Sequence, residues 1–262
     1  MVSMAEQKII NEELRPTKPT PPMDKHFTVD VISQTPCPQQ SIWAAAKQDY
    51  SEDYIIDSRN EWPDETECGQ WIIEHLLKGG RGHWGPLEHV KIQFAAGWFP
   101  HSVMQQIRTH RHLSFDVQSG RFTGKRVIDV ANGDRDTEEA FYCRPPGDYT
   151  DRKGKKYTRT KQDSDEFYRW CVLASLRYRT QIEQGFSEED ARGALPFDIR
   201  QHWVVSANLR ALCHLLTIRG KGDVQLEARQ FCELVLPHFK AWTPEVYSYF
   251  EQHQWKRGRL AP

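Results

Sequence analysis

Residues Ile107–Arg126, IRTHRHLSFDVQSGRFTGKR, concentrate hydrogen-bond donors. Arg108, His110, Arg111, His112, Ser114, Ser119, Arg121, Lys125 and Arg126 stand against one carboxylate, Asp116. The whole chain is near neutral, with a formal net charge of -1, so this positive charge is local. Such a knot suits a phosphate-bearing ligand. Arginine presents planar, bidentate donors, and serine with backbone N–H groups completes a cradle. The bland reading of the same residues is a solvated basic helix end that touches RNA. Other candidate donors lie at a distance in sequence. His89 closes the turn-like GHWGPLEH, Arg192 sits in DARGALP, and Asn208, Arg210, His214 and Arg219 lie in NLRALCHLLTIR. Asn208 and Arg219 are about three helical turns apart and therefore share a face. Structural readings stand beside these: His89 follows a Gly/Pro turn, Arg192 pairs with Glu189 or Asp190, and Leu209, Leu212, Leu215 and Leu216 form a core stripe.

The elements that must position these groups are partly legible. The chain has 262 residues, 38% hydrophobic and 11% aromatic, enough for a sizeable core. Residues 1–26 are polar and hold Pro16, Pro19, Pro21 and Pro22, which reads as a flexible N-terminal arm. Residues 27–255 are the expected domain and 256–262 a tail. Ser41 is the expected cap of a helix through SIWAAAKQDY. TECGQWIIEHLLKGG has helical spacing and a Gly79-Gly80 stop. HVKIQFAAG alternates as a half-buried strand, and RVIDV and HWVVSA are strand-like. Pro100 opens a helix through the following residues, and further helices are predicted over DEFYRWCVLASLRYRTQIEQ, EEDARGAL, NLRALCHLLTIR, DVQLEARQFCELVLPHF and TPEVYSYFEQH. Residues 131–163 are polar and read as a long loop insertion, with Arg152, Lys153, Lys155, Lys156, Arg159 and Lys161 as a flap or interface. Helices outnumber strands without regular alternation, so the expected class is α+β, a mixed or antiparallel sheet flanked by long helices.

The six cysteines are scattered without a CxxC pair, which reads as reduced thiols in the cytoplasm and argues against a metal centre. His101, His110 and His112 lack a nearby carboxylate pair for a metal hydrolase. No apolar run approaches the ~20 residues of a membrane helix, and no signal-peptide core is visible.

In order and spacing, these segments resemble the flavin-dependent thymidylate synthases. That family's signature is Arg-His-Arg, seven residues, Ser, any residue, Arg. His110, Arg111, Ser119, Gly120 and Arg121 fall in register with it. Pro86-Leu87-Glu88-His89, the Ala191-Arg192 and Leu195-Pro196 pairs, the Asn208/Arg210/His214/Arg219 helix and QLEAR from Gln225 follow the family pattern. Thr109 stands where the signature has its first Arg, and Arg108 is the expected substitute. Val117, Phe122 and Lys91 also depart from the usual residues.

The resemblance implies methylation of dUMP to dTMP, with methylenetetrahydrofolate as one-carbon donor and FAD, reduced by NADPH, as hydride donor. It implies that Gln106, Ser119, Gly120, Arg121, Arg192 and Arg219 bind dUMP. It assigns His89, Arg108, His110, Arg111, Asn208, Arg210 and His214 to FAD. Arg219 is the expected catalytic residue, stabilising negative charge on the pyrimidine so that carbon 5 becomes nucleophilic. No cysteine lies in the signature, unlike enzymes that attack with a thiolate. The resemblance also implies a homotetramer with shared active sites, and no DNA or membrane partner. Two alternatives remain open at this point: one-carbon transfer to another pyrimidine nucleotide, including hydroxymethylation, and an inactive nucleotide- or RNA-binding relative.

Overall fold

The computed structural model describes residues 22–151 and 153–257. Strand β1 (Thr28–Gln34) leads to helix α1 (Pro38–Gln48) and helix α2 (Glu65–Ile72), which runs on as a π turn, Ile73–Leu77. Strand β2 (Lys91–Pro100) passes directly into α3 (His101–Arg108), followed by β3 (Leu113–Val117), α4 (Lys125–Asn132) and α5 (Thr137–Ala140). A hairpin, β4 (Gly147–Thr150) and β5 (Lys156–Arg159), precedes the long α6 (Lys161–Glu183) and short α7 (Glu188–Ala191). Strand β6 (Arg200–Asn208) passes into α8 (Leu209–Arg219), and α9 (Leu226–Trp242) and α10 (Pro244–His253) close the chain.

The main sheet has the order β1-β2-β6-β3 and is antiparallel throughout, in keeping with the α+β expectation. Alternation sets its buried face. Ile92, Phe94 and Ala96 of β2 and Trp203, Val205 and Ala207 of β6 face the core. There they meet Val103 and Ile107 of α3, the leucines of α8, and Phe231, Val235 and Phe239 of α9. A smaller cluster joins Val127 and Val130 of α4 to Cys171 and Tyr178 of α6. In β2 the register to β6 shifts between Ala96 and Phe99, and Trp98 there has φ 70°. That left-handed conformation is costly for a bulky residue and marks a built-in bulge.

Several predicted boundaries are corrected. Pro38, not Ser41, opens α1. Ser41 lies inside the first turn, and its hydroxyl donates back to the Cys37 carbonyl at 3.0 Å. RVIDV is helical, because Val127 and Val130 lie one turn apart and bury together on α6. Residues 131–163 are not one loop, for they carry the end of α4, α5, the β4–β5 hairpin and the start of α6. The hairpin is tied down from Arg144, which donates to the Tyr157 hydroxyl at 2.6 Å and to buried Glu227 of α9 at 2.6 Å. β1 and β3 are strands that the pattern did not disclose. Caps at Asp64, Thr160 and Ser187 start α2, α6 and α7. Residues 1–21 of the expected arm, and the tail from 258, lie outside the described residues.

The last residues of that arm are fixed in place. Arg200, 1% exposed, donates from Nη2 to Asp24 Oδ2 at 2.8 Å and from Nη1 to Oδ1 at 3.2 Å. It also donates to the carbonyls of Glu138 at 2.6 Å and Trp98 at 2.7 Å. Phe27 and Tyr142 stack about the same guanidinium. One buried cation thus joins the residues before β1, the bulge of β2 and α5. Asp24 is the one carboxylate paired with it among the described residues, and removing it leaves a charge in the core, typically a loss of about 3–5 kcal/mol. Asp24→Ala should therefore lower the urea unfolding midpoint strongly. A wild-type midpoint would refute this account of the pair.

Candidate active site

Two helix ends meet to form the site. Asn208 caps α8, its Oδ1 accepting the Ala211 N–H at 2.8 Å. The leucine stripe Leu209, Leu212, Leu215 and Leu216 faces the core. That leaves Arg210, His214, Ile218 and Arg219 on the open side of α8, facing the segment Thr109–Leu113 that follows α3. Between them lies a cavity of about 620 Å³, with Glu88 and Asn208 at its edge. This lies within the roughly 300–1,000 Å³ usual for small-molecule sites. Its walls carry Arg111, Arg210 and Arg219 against Glu88, and that carboxylate pairs with Arg210 at 2.6 Å. The His110 and His214 rings meet edge to face at 5.6 Å.

Arg219 is held by neutral acceptors. Its Nε donates to His110 Nε2 at 3.0 Å, and its Nη2 donates to Thr109 Oγ1 at 2.8 Å and to the Gln106 carbonyl at 3.1 Å. No carboxylate pairs with it among the described residues. The Nη1 edge makes no hydrogen bond among the described residues and is open to a ligand. Burial, the Arg219 charge and then His214 pull the His110 pKa down to about 4. His110 is therefore neutral near pH 7. Because its Nε2 accepts from Arg219, its proton is assigned to Nδ1.

A second group forms around the Ser119-Gly120-Arg121 turn. Ser119 Oγ accepts the Arg121 N–H at 3.3 Å, and the Ser119 carbonyl accepts from Thr123 Oγ1 at 2.9 Å. Gly120 lies against Arg192: a Cβ placed there would come within 3.8 Å of Arg192 Cδ. Arg121 pairs with Glu189 at 2.8 Å. Ser119, Gly120, Arg121 and Arg192 lie outside the lining of the cavity in the same chain.

The structure thus brings His110, Arg111, Asn208, Arg210, His214 and Arg219 together, and separately Ser119, Gly120, Arg121 and Arg192. Gln106 stands behind the cavity. Its carbonyl holds Arg219, while its side chain donates to Gln225, which in turn donates to Ser102 at 3.0 Å. His89 is exposed beside Glu88 and does not line the cavity. Arg108 is exposed at the end of α3. Its side chain makes no ion pair or hydrogen bond among the described residues, and it too lies outside the cavity lining. Thr109 lines the cavity in its stead. The contact between Thr109 and Arg219 was missed by sequence reasoning, although the departure at position 109 marked the place. Cys213, next to His214, is fully buried and its thiol is pushed up to about 12 by that burial, so it offers no thiolate.

Residues 30–245 match the family described as "Thymidylate synthase complementing protein". A flavin-dependent thymidylate synthase of Haloarcula marismortui is 32% identical over 89% of this chain and 99% of its own length. One from Halobacterium salinarum is 29% identical over the same shares of each chain. Among solved structures, a flavin-dependent thymidylate synthase from Helicobacter pylori, complexed with FAD and dUMP, aligns with a TM-score of 0.63 at 19% identity. The match covers 86% of this chain and 98% of that one. A UMP/dUMP methylase from Streptomyces cacaoi, bound with 5-Br dUMP, aligns with a TM-score of 0.67 at 19% identity, over 87% and 96% of the two chains.

The depressed His110 pKa couples stability to pH. Between the ordinary histidine value of 6.5 and about 4, the unfolded chain binds a proton there that the folded chain does not. Stability from this residue is fully present above that window and is lost as pH falls through it. His110→Gln should therefore show a smaller fall in urea midpoint between pH 7 and pH 4.5 than the wild type. Equal slopes for the two proteins would contradict a neutral, desolvated His110.

Proposed function

The chain belongs to the flavin-dependent thymidylate synthase family, and on that premise we propose the following reaction and division of roles. The enzyme converts dUMP to dTMP, with methylenetetrahydrofolate as one-carbon donor and NADPH as reductant of its FAD. The observation that carries the role of the site is Arg219, a cation fixed by three neutral acceptors, with one edge unbonded among the described residues. Carbon 5 of uracil attacks only when electron density is pushed onto it. A preorganised cation at the pyrimidine oxygens or N3 stabilises the negative charge that develops there. A carboxylate partner would cancel that effect, and Arg219 has none among the described residues.

The cavity suits FAD. Arg111 and Arg210 offer guanidinium donors for a diphosphate, and Asn208, His110 and His214 offer polar contacts beside them. His89 and the exposed Arg108 are assigned to the flavin from the cavity's rim. Bound FAD supplies the hydride; the chain orients the nucleotide and excludes water. Ser119, Gly120, Arg121 and Arg192 are assigned to the dUMP phosphate. At Gly120 the missing side chain lets backbone N–H groups approach an anion closely. Gln106 completes the nucleotide contacts.

We further propose a homotetramer with sites shared between subunits. The phosphate group of residues and the flavin cavity are separate within one chain, and a nucleotide that serves both is completed by a second subunit. Exposed Phe122 at 84%, Leu173 at 64% and Phe197 at 64% supply apolar surface for such contacts. The six free cysteines fit a reducing cytoplasm. Among the described residues no helix is long and apolar enough to cross a membrane. The reading assigns the enzyme no DNA or membrane partner.

The direct test is purification followed by a visible spectrum and an assay for dTMP from dUMP, with dCMP and a search for hydroxymethylated product as controls. A colourless protein, or one that makes no dTMP, would overturn the reading. Arg219→Ala should keep its flavin and lose on the order of 10²–10³ in turnover. Ser119→Ala should weaken dUMP binding by ~1.5–3 kcal/mol yet retain measurable turnover, because it removes one bond to a charged group. Mixing Arg121→Ala with Arg219→Ala subunits should restore part of the activity. No recovery on mixing would count against shared sites.

A further inference from the structure

We infer that Thr109 is a positioning residue for Arg219, an inference that rests on the proposed catalytic role of that arginine. The Thr109 hydroxyl donates its only proton to the Gln106 carbonyl at 2.7 Å, one turn back along α3. Its lone pairs are then fixed toward the cavity, where Arg219 Nη2 donates to Oγ1 at 2.8 Å. The same Nη2 reaches the Gln106 carbonyl at 3.1 Å, so threonine and carbonyl form a two-point seat for one nitrogen. His110 holds the adjacent Nε at 3.0 Å and fixes the plane of the guanidinium. Together these bonds leave Nη1 as the edge presented to a ligand.

The residue type matters because of what the seat requires. It lies at the C-terminal end of α3, where unpaired helix carbonyls favour a cation. An arginine, which the family signature has at this position, carries donors only. It cannot accept from Arg219 and would place a second guanidinium against the first. Threonine supplies an acceptor and no charge. The substitution at position 109 therefore changes what holds the catalytic guanidinium. Exposed Arg108 makes no bond to it among the described residues, so it does not take over this task.

Three proteins decide the matter: wild type, Thr109→Ser, which keeps the hydroxyl, and Thr109→Val, which keeps the shape and loses it. With FAD bound, Thr109→Val should lower kcat for dTMP formation about tenfold, while KM for dUMP changes less, because the lost support acts on charge that develops during reaction. Thr109→Ser should restore kcat to within about twofold. Crystals of the three proteins without dUMP give a readout independent of turnover. Arg219 should keep its pose in wild type and the serine variant, and leave the His110 and Gln106 contacts in the valine variant. Three results would overturn the inference: wild-type kcat in Thr109→Val, a serine variant as slow as the valine one, or an unmoved Arg219 in the valine crystals. If the wild type makes no dTMP, the reaction assignment falls, and the crystals still decide whether Thr109 seats Arg219.

Discussion

The antiparallel pairing of β2 with β6 sets the positions of both walls of the site. Lys91 lies opposite Asn208 and Pro100 opposite Arg200, so each strand delivers its helix from opposite ends of the same ladder. β2 runs without a break into α3, and β6 runs without a break into α8. The C-terminal ends of these two helices then meet, and Gln106, Thr109, His110 and Arg219 bond across the junction. Packing beneath the helices is aliphatic and aromatic, and interiors of that kind transmit position with little slack. The precision needed at Arg219 is therefore inherited from a strand register rather than from the loops around it.

The electrostatics of the junction run against the usual economy of folded proteins. Two other cations have carboxylate partners: buried Arg200 has Asp24 and half-buried Arg144 has Glu227. At Arg219 a neutral imidazole, a hydroxyl and a carbonyl replace the anion. Burial and the adjacent cation keep His110 unprotonated, so the arrangement is self-consistent. A cation seated this way keeps its field for a ligand, at the cost of some stability in the empty protein.

Much of this was visible in the sequence, and the gaps have physical causes. The donor-rich segment, the Asn208–Arg219 face and the long helices follow local periodicity, which a single sequence records. β3 lies inside the donor-rich segment, where Ser114 and Asp116 alternate with Leu113, Phe115 and Val117. The motif drew attention from that alternation. RVIDV looks like a strand because β-branched residues favour sheets, but the face offered by α6 decides otherwise. The polar composition of 131–163 concealed a hairpin that is tied down through Arg144 and Glu227, a partner 83 residues away. Asp24 gave no local signal either, since its role depends on Arg200, 176 residues away. The gap between the Ser119 cluster and the cavity between α3 and α8 is likewise a property of three dimensions.

The bulge at Trp98 bears on which changes of chain length this fold can absorb. It places one extra residue of β2 between the pairs Ala96–Trp203 and Phe99–Gln201. A single-residue deletion at the bulge itself would straighten the strand and keep Phe99 opposite Gln201, whereas a deletion between Phe99 and Val103 would advance everything after it by one position. Side chains alternate in a strand and turn by ~100° per residue in a helix. Val103 and Ile107 would rotate out of the core, and Thr109 and His110 away from Arg219. From Phe99 to Leu113 the chain thus acts as a ruler of fixed length, intolerant of insertion or deletion. The β4–β5 turn, at the tip of a surface hairpin, carries no such phase, and variation in length among descendants of this sequence should accumulate there.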